Sequence, residues 1–124
     1  MEITSAAPVG AQLIQAYGNG GFTIAGLRHE GSVLIMPERT LAWSVSAFSA
    51  VTLEGLDPII ASDPRVELLI LGSGQTFELA PPPLREALRG HGIAAEAMAT
   101  PAACRTYNVL LAEDRRVAAA LIAI

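Results

Sequence analysis

The sequence predicts an α/β fold, and three features of its second half carry that prediction. Val66–Leu71 (VELLIL) is apolar on both faces, as expected of a central strand inside a sheet. Pro81–Pro83 and Thr100–Pro101 each open a segment with helical spacing, and Ile93–Met98 and Val117–Ile124 read as strands after them. The resulting order of strand, helix, strand, helix, strand is that of an α/β domain. A length of 124 residues predicts one compact domain over 1–124, with residues 1–12 as a polar N-terminal leader.

The first half reads as strands and turns. Ile14–Tyr17 and Phe22–Leu27 flank Gly18-Asn19-Gly20-Gly21, whose residues supply the positive φ of a hairpin turn. Arg28–Ser32 reads as a second turn leading into the strand Val33–Met36, which Pro37 stops because proline cannot donate to a ladder. Leu41–Val45, with Trp43 as a core aromatic, reads as another strand. Asp57–Pro58 reads as the N-cap and first position of a helical turn through Ile60, and Asp63–Pro64 as a turn. In the helix after Pro83, Leu84, Ala87, Leu88 and His91 share one face, and His91 sits where it can meet the free terminal carbonyls. Thr100 is the expected N-cap of the last helix, which runs to about Glu113.

Composition narrows the function. Hydrophobic residues make up 52% of the chain and charged residues only 16%, against about 25% charged in a typical soluble domain. Sheets buried on both faces absorb part of that excess. An apolar patch covered by a protein partner, or by a second copy in a homo-oligomer, would absorb the rest. A net charge of −4 argues against a nucleic-acid partner, since phosphate binding needs surplus basic groups. All 8 basic residues are arginine, which excludes Schiff-base and P-loop lysine chemistry. No apolar run reaches the roughly 20 residues of a transmembrane helix, and a cytoplasmic protein is expected.

No metal and no cofactor is expected. The single cysteine cannot form an internal disulfide, and His29 and His91 have no metal-ligand spacing. Cys104 lies near a helix start, where a thiolate is favoured. It also shares a stripe with Tyr107 and Leu111 at i+3 and i+7, beside Ala103 and Leu110, and the core reading is preferred. Tyr107 is expected in the core with its hydroxyl reaching a polar partner.

Two groups of residues could bind a ligand. Arg105 and Asn108, at i and i+3, are expected on a different face from the cysteine stripe and together offer donors and an acceptor to a carboxylate, phosphate or peptide. A bland alternative makes them a solvated face or pairs Arg105 with Glu96 or Glu113. Gly72-Ser73-Gly74 follows a strand, so its N–H groups could cradle an anion. The third glycine of a dinucleotide motif is missing, and a tight turn is the preferred explanation. If the Thr100 helix starts nearby, Gly72, Ser73, Gly74, Thr100 and Arg105 would line one shallow cleft.

Several segments together resemble one small-domain family. They are Tyr17-Gly18-x-Gly20-Gly21-Phe22, the Gly31-Ser32 strand ending at Pro37 with Trp43 after it, Leu68-Leu69-Ile70-Leu71-Gly72-x-Gly74, and Gly92-Ile93-x-x-Glu96-x-Met98-x-Thr100-x-x-Ala103-x-Arg105-Thr106-Tyr107-Asn108-x-Leu110. The family includes mitochondrial complex I assembly factor three, the adipogenesis-associated domain protein of animals and many bacterial and archaeal proteins. The resemblance implies a three-layer α/β domain with a mixed central sheet and an accessory β layer. It implies no agreed enzymatic activity, and it implies protein partners such as respiratory-complex subunits. A non-enzymatic interaction or assembly factor is the leading expectation. The alternative is a small-molecule or anion-binding enzyme at the Gly72–Gly74 turn and the Thr100 helix.

Overall fold

The computed structural model describes residues 11–124, so most of the expected leader lies outside the described residues. Apolar strands that alternate around two helical segments build two sheets. In the small sheet β1 (Ile14–Gly18), β2 (Gly21–Ile24) and β3 (Leu27–Glu30) pair antiparallel in chain order. Its first turn is the expected one, with Asn19 at φ 54° and Gly20 at φ 79°.

The main sheet collects β4 (Val33–Ile35), β5 (Thr40–Ala42), β6 (Leu68–Gly72), β7 (Ala94–Met98) and β8 (Val117–Leu121) in the order β5-β4-β8-β6-β7. β6 is parallel to both β7 and β8, while β4 is antiparallel to β5 and β8, so the sheet is mixed. The α-helices among the described residues are α1 (Asp57–Ile60), α2 (Pro82–Gly90) and α3 (Thr100–Ala112).

Strand alternation divides the main sheet into two buried faces. Leu69, Leu71, Ala118 and Ala120 face Leu84 and Leu88 of α2, together with Trp43, Phe48, Leu56 and Ile59. Ile70, Val117, Ala119 and Leu121 face Cys104, Tyr107 and Leu111 of α3, together with Ile14, Phe22 and Ile24 of the small sheet. The expected three layers are therefore present, with α3 and the small sheet sharing one of them. Trp43 is a core aromatic, as expected.

Four details differ from the sequence reading. Arg28, His29 and Glu30 belong to β3 rather than to a turn. The Arg28 side chain donates to Glu30 at 2.9 Å and to the carbonyls of Gly18 and Asn19 at 3.0 and 3.2 Å, which ties this polar strand to the first hairpin turn. The middle strand of the sheet is β8, whose five residues are all buried, and β6 lies beside it. At α1, Leu56 is the N-cap and Asp57 already belongs to the helix. His91 is exposed and caps α2 through its backbone N–H, 2.9 Å from the Leu88 carbonyl.

Cys104 is buried in the core, as its stripe predicted, and burial raises its pKa from 9.0 to about 12. The unfolded thiol ionises first, so its contribution to stability is complete below pH 9 and is lost as pH climbs toward 12. The native protein at pH 8 is expected to resist a thiol reagent that labels the urea-unfolded chain within minutes. Equal labelling rates in the two states would contradict the burial of this thiol.

Candidate functional site

The carboxyl ends of β6, β7 and β8 converge on the first turn of α3, which brings Gly72, Ser73, Gly74 and Thr100 together as the sequence suggested. Their contacts are internal. The Thr100 hydroxyl accepts the Gly74 N–H at 2.9 Å and donates to the Ile122 carbonyl at 2.8 Å. The Thr100 N–H donates in turn to the Gly74 carbonyl at 2.8 Å. Ala99 is the N-cap, so Thr100 is the first helical residue rather than the cap, and its hydroxyl is spent on neighbouring chain ends.

Serine and glycine close the remaining donors. The Ser73 N–H donates to the Met98 carbonyl at 2.9 Å, and the Ser73 hydroxyl donates to Thr76 and Met98 carbonyls at 2.7 and 3.2 Å. The same hydroxyl accepts the Glu78 N–H at 3.1 Å. A methyl group on Gly72 would come within 2.9 Å of the Thr100 Oγ1 and 3.3 Å of its Cα, so glycine is required by the close approach of α3. Donors that could have cradled an anion at Ser73 and Gly74 are occupied by protein carbonyls and the Thr100 hydroxyl.

Arg105 and Asn108 do not share a surface. Arg105 is exposed and forms no ion pair with Glu96 or Glu113. Asn108 is only 3% exposed. Its Oδ1 accepts the Ile14 N–H at 3.0 Å, and its Nδ2 donates to the Ile14 carbonyl at 2.8 Å. The side-chain amide thus pairs with β1 as a neighbouring strand would. The reason was available in the spacing, because Asn108 stands four residues after Cys104 and falls on the same helical stripe. Tyr107 is buried beside it and donates its hydroxyl to the Gln12 carbonyl at 2.9 Å, as expected of a core tyrosine with a polar partner. Burial also raises the Tyr107 pKa above the usual phenol value.

Two surface features were not anticipated. The loop between Ser73 and α2 exposes Phe77 and Leu79 to 56% and 77%. Apolar residues in a segment with neither helical nor strand periodicity were the available signal. At the other end of β7, an open groove of about 450 Å³ is lined by residues that include Arg85, Arg89, Ala95 and Glu96. None of the sequence-predicted site residues lines this groove. The described residues contain no cluster of three or more metal-ligating side chains and no helix long and apolar enough to cross a membrane.

The family described as "protein of unknown function (DUF498/DUF598)" matches residues 14–122, the region that holds every element of both sheets. The chain belongs to this family. An uncharacterised protein of Rhodobacter capsulatus is 40% identical over 91% of the chain and 86% of its own length. The mouse NADH dehydrogenase [ubiquinone] 1 alpha subcomplex assembly factor 3 is 37% identical over 90% of the chain. The chain spans only 60% of that relative's length. Among solved structures, a Bartonella henselae protein described as an outer membrane protein superposes with a TM-score of 0.84 at 38% identity, covering 92% of this chain and 96% of its own. The resemblance seen in the sequence and the mixed α/β fold are both borne out.

Two substitutions test the structural roles assigned above. Thr100→Val strands the Gly74 N–H and the Ile122 carbonyl, and should lower unfolding stability by roughly 2–4 kcal/mol, whereas Thr100→Ser should lose much less. Asn108→Ala leaves both polar groups of Ile14 without this partner, with an expected loss of about 2–4 kcal/mol. Urea titration of each variant measures both effects. Full stability in Asn108→Ala would contradict the role of this amide in holding β1.

Proposed function

We propose that this protein is a non-enzymatic interaction factor that helps assemble a larger protein complex. The observation that carries this reading is the loop Gln75–Leu79, which exposes Phe77 and Leu79 directly beside a junction whose own hydrogen bonds are closed. Exposed large apolar side chains gain free energy when a partner removes them from water, about 25 cal/mol per Å². The Ser73 hydroxyl ties the Thr76 carbonyl and the Glu78 N–H together, which lowers the ordering cost of docking. Arg105, exposed and without an ion partner among the described residues, supplies a planar donor fork for a peptide or carboxylate group.

Homology with the mouse assembly factor supports an assembly role. It makes respiratory-complex subunits the first partners to test. A reducing compartment such as the cytoplasm suits the free, buried Cys104.

The test is a native pull-down with mass spectrometry on the wild type, Phe77→Ser/Leu79→Ser and Arg105→Ala. The loop variant should keep its unfolding free energy within about 1 kcal/mol, because both side chains are exposed. It should nonetheless lose the partner that the wild type retains, and Arg105→Ala should weaken retention. Undiminished retention by the loop variant would contradict the proposal.

A further inference from the structure

Among the described residues, β7 ends the main sheet with an open edge, next to arginines that have no ion partner. It pairs with β6 alone among the described residues. The Ala94 N–H donates to the Glu67 carbonyl at 3.0 Å, and the Met98 carbonyl accepts the Ser73 N–H at 2.9 Å. A parallel ladder uses alternate residues on each side, so Ala95 and Ala97 turn their N–H and C=O groups outward. No hydrogen bond from another described segment reaches those outward groups. Sheet edges are ordinarily protected by proline, bulges or cover, because a free edge is a template for another strand. β7 (AAEAM) has no proline and pairs without a bulge.

Charge identifies what would lie there. Arg85 and Arg89 stand one helical turn apart on α2 and line the groove along β7. Arg65 places its guanidinium against Gly92 near the same end of the strand. All three are exposed, and none forms an ion pair with a described residue. Of the two acids in the groove lining, Glu67 is already engaged by Arg116 at 3.6 Å. Glu96 alternates with Ala95, whose side chain packs on the α2 face, so Glu96 points to the opposite face of the sheet. The groove lining on the α2 side is therefore cationic in a chain of net charge −4, while Glu86, the acid nearest these arginines on α2, lies outside that lining.

Spacing adds a constraint. Residues four apart on a helix are separated by roughly 6 Å along its axis. Alternate residues of a strand are separated by roughly 6.6 Å and project to one face. A strand laid along β7 with acidic residues at every second position would thus place successive carboxylates opposite Arg89 and Arg85. We infer that this groove takes an extended acidic segment of a partner protein, which pairs as an added strand with Ala95 and Ala97 and sets its carboxylates against Arg85 and Arg89. Main-chain bonds supply affinity in such strand addition and the alternate side chains supply selectivity. This surface runs from the groove at the amino end of β7 along the strand's free edge, and it does not use the Phe77–Leu79 loop.

The probe is a fluorescein-labelled hexapeptide of alternating threonine and glutamate, followed by fluorescence anisotropy at low salt. Saturable binding is expected, weakened at least tenfold by Arg85→Ala/Arg89→Ala and at least tenfold when alternate peptide amides are N-methylated. The bound peptide should also slow hydrogen exchange at the Ala95 and Ala97 amides. Phe77→Ser/Leu79→Ser should bind the peptide as the wild type does, which separates this inference from the loop reading. No saturable binding, equal binding of the methylated peptide, or unchanged exchange at Ala95 and Ala97 would overturn it.

Discussion

One hydroxyl group closes the carboxyl end of the main sheet. Thr100 Oγ1 bonds to Gly74 after β6 and to Ile122 after β8, while its own helix begins at that residue. Three chain segments far apart in sequence are held at one point, and glycine at position 72 lets the helix start come that close. Open α/β sheets commonly bind ligands beyond the carboxyl ends of their strands. Here that place is filled by the protein's own polar contacts.

The rest of the architecture follows from where this junction sets α3. The helix lies across β6 and β8 with Cys104, Tyr107 and Leu111 inward, and the alanines of β8 allow both flanking layers to approach the middle strand. Within that layer Asn108 holds β1 against the helix, and Tyr107 holds Gln12. Polar residues of the family-like segment are thus spent on joining the small sheet to the helix. The exposed features that remain are peripheral: an apolar loop at one end of β7 and a cationic groove at the other.

Much of this was legible in the chain. Gly18–Gly21 specified its hairpin through positive φ, VELLIL and the final apolar run specified interior strands, and Pro82 and Pro101 marked two helix starts. β3 was not legible, because its polar residues become a strand only through pairing with β2 and the Arg28 contacts to the first turn. Asn108 stands i+3 from the exposed Arg105 and i+4 from the buried Cys104, and the second relation decides its face. The groove could not be read at all, since it is made by α2 and a sheet edge whose neighbours are fixed only by the folded strand order.

The central claim is that the Gly72–Thr100 junction is structural and that its donors are closed to ligands. Amide spectra of the uniformly ¹⁵N-labelled protein during titration with inorganic phosphate test it most directly. The Ser73, Gly74 and Thr100 amide signals should stay in place through millimolar phosphate. A saturable shift of those three signals would contradict the claim and restore an anion site at the end of the sheet.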